Sequence, residues 1–434
     1  MRIIKPEQNN PIKVKDSVFE LGIVFLFLLW ISLAIIYLGS FYLKLPFDHI
    51  VLYRAEDPGY VAPPNVSQPL IGVHRFNDYL QTMSYVELKN PYDLNLDYPS
   101  MYGPLGMLFL RPILLFPKLI GLIILSLIGL YAMLHVSVKY LGNHFSAIEK
   151  IGFAIVFVLL SRPLLLGFDR GNIQPIISAG TLLFFYLINV KKNWQANLVL
   201  VLLIGFKIYP IIFLGYFIYK KEYRRFLGIT LVSALLTFLS FIVIAKSINI
   251  VPQILGLLKG MAIQSGYPTS GLSVSAWIFR ILDQLGLMKF ENGFDQTTRL
   301  MQLTISFLIG VFLLYISIRK IYSQKQTQFI FLAFSALLSP VSWDYNIIWA
   351  SIGLLMLLDL YRDNHSNFFS FKIKSYVTKA PLTTYVWLLL LIPIPWIWRG
   401  SSRINVSIAD LVYFPLIALI LWSWRKSEQK NKIS

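Results

Sequence analysis

The sequence predicts an all-α, polytopic membrane bundle of about 12 membrane segments whose outer-face loops carry short helices, and three observations predict it. Hydrophobic residues make up 56% of the 434 positions and charged residues only 14%, with a mean hydropathy of +0.64, well outside the soluble globular range. The apolar residues fall in runs, several of them long enough to cross a bilayer as a helix. The 39 Lys and Arg residues, which set a formal net charge of +18, fall in short clusters between those runs. That is the pattern of cytoplasmic loops and not of a nucleic-acid surface, so nucleic acid is excluded as a partner.

The segments read, in order, as 18–43, 119–141, 151–168, 173–190, 194–206, 208–219, 227–246, 300–320, 327–341, 344–361, 383–398 and 408–424, forming a single integral membrane domain over 1–434. The first follows a basic leader (Arg2, Lys5, Lys13, Lys15) and is too long, without a small-residue cleavage site, for a signal peptide. It is expected to remain as the first span. The basic clusters, including Lys191-Lys192, Lys220-Lys221 with Arg224-Arg225, Arg319-Lys320 and Arg425 to Lys432, place both termini inside. Segments 194–206 and 208–219 are too short to cross alone, and predict a hairpin turning within the membrane at Lys207-Ile208-Tyr209-Pro210.

The outer face then receives a first loop over 44–118, a short turn at Gly167 to Asn172, and a second large loop over 247–299. These inserts are expected to meet. The first loop carries the segment His74 to Pro104, where Asp78, Glu87, Asp93 and Asp97 gather in an otherwise apolar chain. Its spacing predicts a short helix from Asn77 to Leu88, with Asn77 as N-cap and Asn90-Pro91 as the stop. Asp78 would sit in the first turn, where the helix dipole favours the ionised carboxylate and suits either a plain cap or a base. Residues 104–117 are apolar, short and rich in Pro, and are placed along the interface. In the later loop, Val251 to Ile263 predicts an amphipathic helix on the membrane, and Ser273 to Leu285 a second helix.

Polar residues near the outer ends of the segments are few and fall in related places: Asp169-Arg170-Gly171-Asn172 with Gln174; Lys207 with Tyr209; Tyr267 and Arg280; Trp343-Asp344-Tyr345-Asn346; Arg399 and Arg403. Ionisable groups at membrane depth are costly and by default mark a site, cations suiting a phosphate and carboxylates a hydroxyl. The plainer reading of Arg399, Arg403, Trp343 and Tyr267 is interfacial anchoring, and that of Asp169-Arg170 is a local ion pair. Lys207, an ammonium beside an intramembrane turn with no sequence-adjacent partner, points more strongly to function.

Other chemistries drop out. There is no cysteine, so disulfides, thiolate metal sites and cysteine nucleophiles are excluded. None of the five His residues falls at metal-ligand spacing, and no phosphate-cradling glycine loop with Lys-Ser/Thr is present. Glu56-Asp57 and Asp93 with Asp97 are acidic pairs of the kind that can hold a divalent ion, but such loose pairs are more often solvated surface, so neither metal nor cofactor is expected.

The order Asp78-Tyr79, Asn90-Pro91-Tyr92, Tyr98-Pro99, Pro104, Arg170-Gly171-Asn172-Ile173-Gln174, Lys207-Ile208-Tyr209-Pro210 before a basic loop, and Leu338-Ser339-Pro340-Val341-Ser342-Trp343 resembles glycosyltransferase family 87. The likeness runs up to about residue 350. It implies a GT-C-like integral membrane enzyme, the family being typified by polyprenyl-phosphate-mannose-dependent mannosyltransferases of glycolipid synthesis. By the same resemblance Asp78 would be the catalytic base, and Lys207 and the Gly171 to Gln174 turn would lie near the lipid-phosphate donor. The sequence departs from the family at Asp344-Tyr345-Asn346, where members often carry a His pair, and at Gly-Asn-Ile-Gln, where many have Gly-Gln-x-Asn.

The expectation is therefore transfer of a sugar, mannose being the family's type, from a polyprenyl-phosphate donor to a hydroxyl of a glycolipid or glycan acceptor at the outer (periplasmic or extracellular) face of a plasma membrane. Asp78 takes the proton; Lys207, Arg170, Asn172, Gln174, Arg280 and Arg403 bind the donor phosphate; Tyr79, Tyr98, Tyr209, Tyr267, Trp343, Asp344 and Asn346 line the substrate. The rival classes are a glycolipid flippase, which needs alternating access but no base, and a non-catalytic assembly subunit.

Overall fold

A computed structural model describes residues 11–43, 76–97, 99–142, 146–264, 273–287, 296–338, 348–363, 372–373, 376–377, 387–388, 390–391, 413–422 and 424. These are overwhelmingly helical; the exception is a two-residue antiparallel ladder that pairs Lys372–Ile373 with Tyr376–Val377. An apolar chain that satisfies its backbone locally, as a helix does, is the form lipid tolerates.

The elements are α1 (Pro11–Leu43), α2 (Asn77–Glu87), α3 (Pro104–Leu110) continuing as a 3-10 turn (Arg111–Leu115), α4 (Lys118–Tyr140) and α5 (Ala147–Ala154) continuing as a π turn (Ile155–Leu159). Then come α6 (Arg162–Asp169), α7 (Gln174–Asn189), α8 (Asn193–Phe206), a 3-10 turn (Tyr209–Leu214), α9 (Gly215–Lys220) and α10 (Tyr223–Ala245). The remainder are α11 (Val251–Gln264), α12 (Val274–Gln284), α13 (Gln296–Arg319), α14 (Gln324–Leu338), α15 (Ile348–Asp363) and α16 (Tyr413–Trp422).

Among the described residues three helices are long and apolar enough to cross a membrane: Lys118–Tyr140, Tyr223–Ala245 and Thr297–Arg319. A bent pair, Lys150–Leu159 with Arg162–Asp169, makes a fourth if it counts as one span. The long helices leave large apolar side chains outward at helical spacing, Leu119, Ile123 and Leu127 on α4 and Leu227, Leu231 and Leu235 on α10. Such stripes are unfavourable in water and suited to lipid, and the chain is a membrane protein.

The predicted segments and the observed helices coincide over much of the chain, with informative differences. Segment 151–168 is not one straight span: its two halves meet at 61°. The π turn and Pro163, which has no N–H to continue the ladder, account for the bend. The break at Lys207-Ile208 is present, but Tyr209–Leu214 continues as a 3-10 turn, with Pro210 at its start, before α9 resumes. Most of segment 383–398 lies outside the described residues.

Helix α2 starts where expected but is capped differently. The residue at the N-cap is Phe76 in a left-handed conformation (φ 57°), without a side-chain cap, so Asn77 is the first helical residue and not the cap. Tertiary contacts do the capping instead: Phe76 N–H donates to Asp169 O at 2.8 Å and Tyr79 N–H to Arg170 O at 3.2 Å. Helix α12 shows the conventional device, Ser273 Oγ accepting from Ala276 N–H at 3.1 Å.

The expected meeting of the loops over 44–118 and 247–299 is observed. Helix α11 lies on the 91–100 stretch of the first loop through Gly256 and Gly260, where a Cβ would collide with the carbonyl oxygens of Tyr92 and Pro99. Between them Lys259 Nζ donates to the carbonyls of Leu94 at 2.8 Å and Leu96 at 2.9 Å.

Candidate functional site

The site is assembled on the turn between α6 and α7. Gly171 reverses the chain there with φ +63°, and its missing side chain lets Tyr79 approach, since a Cβ would lie 2.6 Å from Tyr79 Cβ and 2.9 Å from Leu122 Cδ1. Together with the two backbone bonds to Asp169 and Arg170, this seats the first turn of α2 on the turn. Asp78 is brought there, half-buried, with Thr82 Oγ1 donating to its backbone carbonyl at 2.6 Å.

From Asp78 a hydrogen-bonded chain runs inward. Asn172 Nδ2 donates to Asp78 Oδ2 at 2.8 Å, and Asn172 Oδ1 accepts from Gln174 N–H at 2.8 Å. The Gln174 side chain, fully buried, then accepts at Oε1 from Lys207 Nζ at 3.2 Å and from Tyr209 OH at 2.8 Å. Its Nε2 has no partner among the described residues, nor has Ser178 Oγ one turn further along α7. An unsatisfied buried donor costs about 1–3 kcal/mol, a cost that a polar ligand or a water bonded to this amide would remove.

Lys207 is placed by a second glycine contact. Gly103 N–H donates to Phe206 O at 3.0 Å, and a Cβ on Gly103 would collide with the Gly205 carbonyl. Tyr102 is thereby carried beside Lys207, whose Nζ lies 5.3 Å from the Tyr102 ring centroid and 5.8 Å from that of Tyr209. Burial first, then the charge of Asp78, pushes the Tyr102 phenol well up from its ordinary value, so it remains protonated.

Five of the residues singled out in the sequence, Asp78, Asn172, Gln174, Lys207 and Tyr209, thus form one connected group. Arg170 joins through its backbone carbonyl, which accepts from Tyr79. Tyr79 itself is turned into the core, its hydroxyl lying 2.5 Å from where a Cβ on Gly121 would be. Arg280 is buried on α12. Tyr98, Tyr267, Trp343, Asp344, Asn346 and Arg403 lie outside the described residues. Among the described residues no group of three or more His, Asp or Glu side chains is placed to hold a metal ion.

The sequence reading missed Tyr102, Thr82 and Trp349. Tyr102 was signalled by Gly103 and Gly106 around Pro104, small residues that both face α8. Trp349 is fully buried and meets Tyr209 edge-on at 6.1 Å.

The fold and the site together define a helical membrane protein in which a carboxylate and an ammonium are joined through two amide side chains. The model of glycosyltransferase family 87 matches residues 101–341, more than half of the sequence. The chain belongs to that family and is a glycosyltransferase. The matched region contains Asn172, Gln174, Lys207 and Tyr209 but begins after Asp78, which enters the site through its contacts with Asn172 and the 169–171 backbone. No curated protein and no solved structure matches the chain.

Proposed function

We propose that the protein transfers a sugar, with mannose as the first to test, from a polyprenyl-phosphate donor to a hydroxyl of a glycolipid or glycan acceptor at the outer face of a plasma membrane. The observation that carries this reading is the connected group itself: Asp78 at one end and Lys207 at the other, tied through Asn172 and Gln174. In this reading the fold is GT-C-like with about 12 membrane segments, and the loops over 44–118 and 247–299 lie outside.

The chemistry divides between the two ends. The acceptor oxygen forms the new bond to the anomeric carbon while its proton passes to Asp78. The bond from that carbon to the phosphate oxygen breaks, and its electron pair leaves with the polyprenyl phosphate. Lys207, held by Gln174 over the faces of Tyr102 and Tyr209, meets the charge that develops there, and the same reading assigns Arg170, Arg280 and Arg403 to the donor phosphate. A single displacement of this kind inverts the anomeric centre. The phosphate monoester is a leaving group that cations can hold, so the reading requires no metal.

Purified protein in detergent, given polyprenyl-phosphate hexoses and a panel of lipid and glycan acceptors, should yield a product heavier by one hexose on mass spectrometry. Movement of a glycolipid across vesicles without any such product would establish a transporter in place of a transferase.

A further inference from the structure

We propose that Asn172 is a positioning residue for Asp78: it holds one carboxylate oxygen so that the other faces the acceptor hydroxyl. This rests on Asp78 being the base, as set out above, and gives Asn172 a different task from binding the donor phosphate.

The geometry allows the Asn172 amide only one orientation. Its Oδ1 must be the acceptor because the Gln174 backbone offers only N–H, and its Nδ2 must be the donor because an ionised carboxylate offers only lone pairs. Both contacts measure 2.8 Å, and Asn172 is 7% exposed, so little water competes for them. The first turn of α7 thus fixes an amide that in turn fixes the carboxylate across the chain. Asp78 Oδ2 is occupied by this bond, and no described side chain donates to Oδ1. Because Phe76 and Tyr79 are already bonded to the same turn, the Asp78 backbone is anchored and Asn172 has only the side-chain rotation left to set. A base must meet the proton it removes at hydrogen-bond distance, and a misplacement on the order of 1 Å can cost about a hundredfold in rate.

The test uses full-length protein in detergent, with polyprenyl-phosphate mannose as donor and a membrane lipid extract as acceptor. Asn172→Ser retains an oxygen for the Gln174 N–H, so it keeps the turn, but cannot reach Asp78. Asn172→Asp keeps the shape and the same acceptor while replacing the donor with a second carboxylate. Both should lower kcat about tenfold to a hundredfold with the donor KM changed by less than about twofold, the Asp variant being worse. Thermal melting should stay near that of the wild type for the Ser variant. Wild-type kcat in the Ser variant would show that Asn172 only shapes the turn, and a raised donor KM with unchanged kcat would make it a phosphate ligand; either result overturns the inference. Asp78→Asn is run in parallel. If it loses transfer while both Asn172 variants keep it, this inference alone falls. If it transfers normally, or if the wild type itself transfers nothing, the reading of Asp78 as base falls and the inference with it.

Discussion

Lys207 Nζ lies 3.2 Å from Gln174 Oε1, so the ammonium at the end of α8 is held by an amide at the start of α7. The same oxygen accepts from Tyr209, and Gln174 Nε2 has no partner among the described residues. A lysine bound by a neutral acceptor keeps donors for an anion, whereas one paired to a carboxylate would already be neutralised.

Lys207→Met should therefore weaken donor binding or lower turnover by about 2 to 4 kcal/mol in the combined rate constant. Expression and membrane insertion should be unchanged. Gln174→Leu should mimic part of the loss, and the double variant should fall short of the sum because the two side chains act as a pair. Initial rates at varied donor concentration provide the check; normal rates in the Met variant would return Lys207 to interfacial anchoring.

Asp78→Asn preserves shape but removes the proton acceptor. Transfer should fall by about two to four orders of magnitude while donor binding persists. Asp169→Asn serves as the comparison, because the structure uses the Asp169 backbone carbonyl to seat Phe76. Near-normal transfer by the Asp78 variant, with loss in the Asp169 variant, would move the base to Asp169.

Gly171→Ala should destabilise the protein by at least about 1–2 kcal/mol, the cost of a left-handed conformation for a residue with a Cβ. The added carbon would also press on Tyr79 and Leu122. A lowered midpoint in detergent thermal melting would register this, together with reduced transfer as α2 and Asp78 shift. An unchanged midpoint would show that the turn accommodates the methyl group.

The topology makes a separate prediction. Cysteines introduced at Ser67 and Asn292, in a chain with none of its own, should be labelled by an impermeant maleimide in intact cells. Protection of either would place its loop on the inner side.

Much of this protein was legible in the amino-acid order. Apolar run length indicates membrane helices because a helix satisfies its backbone bonds within itself, so each run can be judged without its neighbours. The residues Asn172, Gln174, Lys207 and Tyr209 stood out for a similar reason, being polar at places where polarity is costly, whereas Asp78 stood out as part of an acidic loop segment and by the family resemblance. Their joining was not legible. Asp78 and Asn172 are separated by 94 positions, and only the seating of α2 on the 169–171 turn brings them within a hydrogen bond. The same contacts removed the need for Asn77 as a cap, since a tertiary carbonyl satisfies the donor that local chemistry would otherwise have to meet. Tyr102 reached Lys207 because glycines at 103 and 106 let α3 close on the end of α8, and Tyr79 went to the core because Gly121 leaves room for it. Sequence determined which groups were costly to bury; the tertiary structure decided which of them share that cost, because close approach depends on the absence of a Cβ on a distant segment and not on anything local to the residue itself.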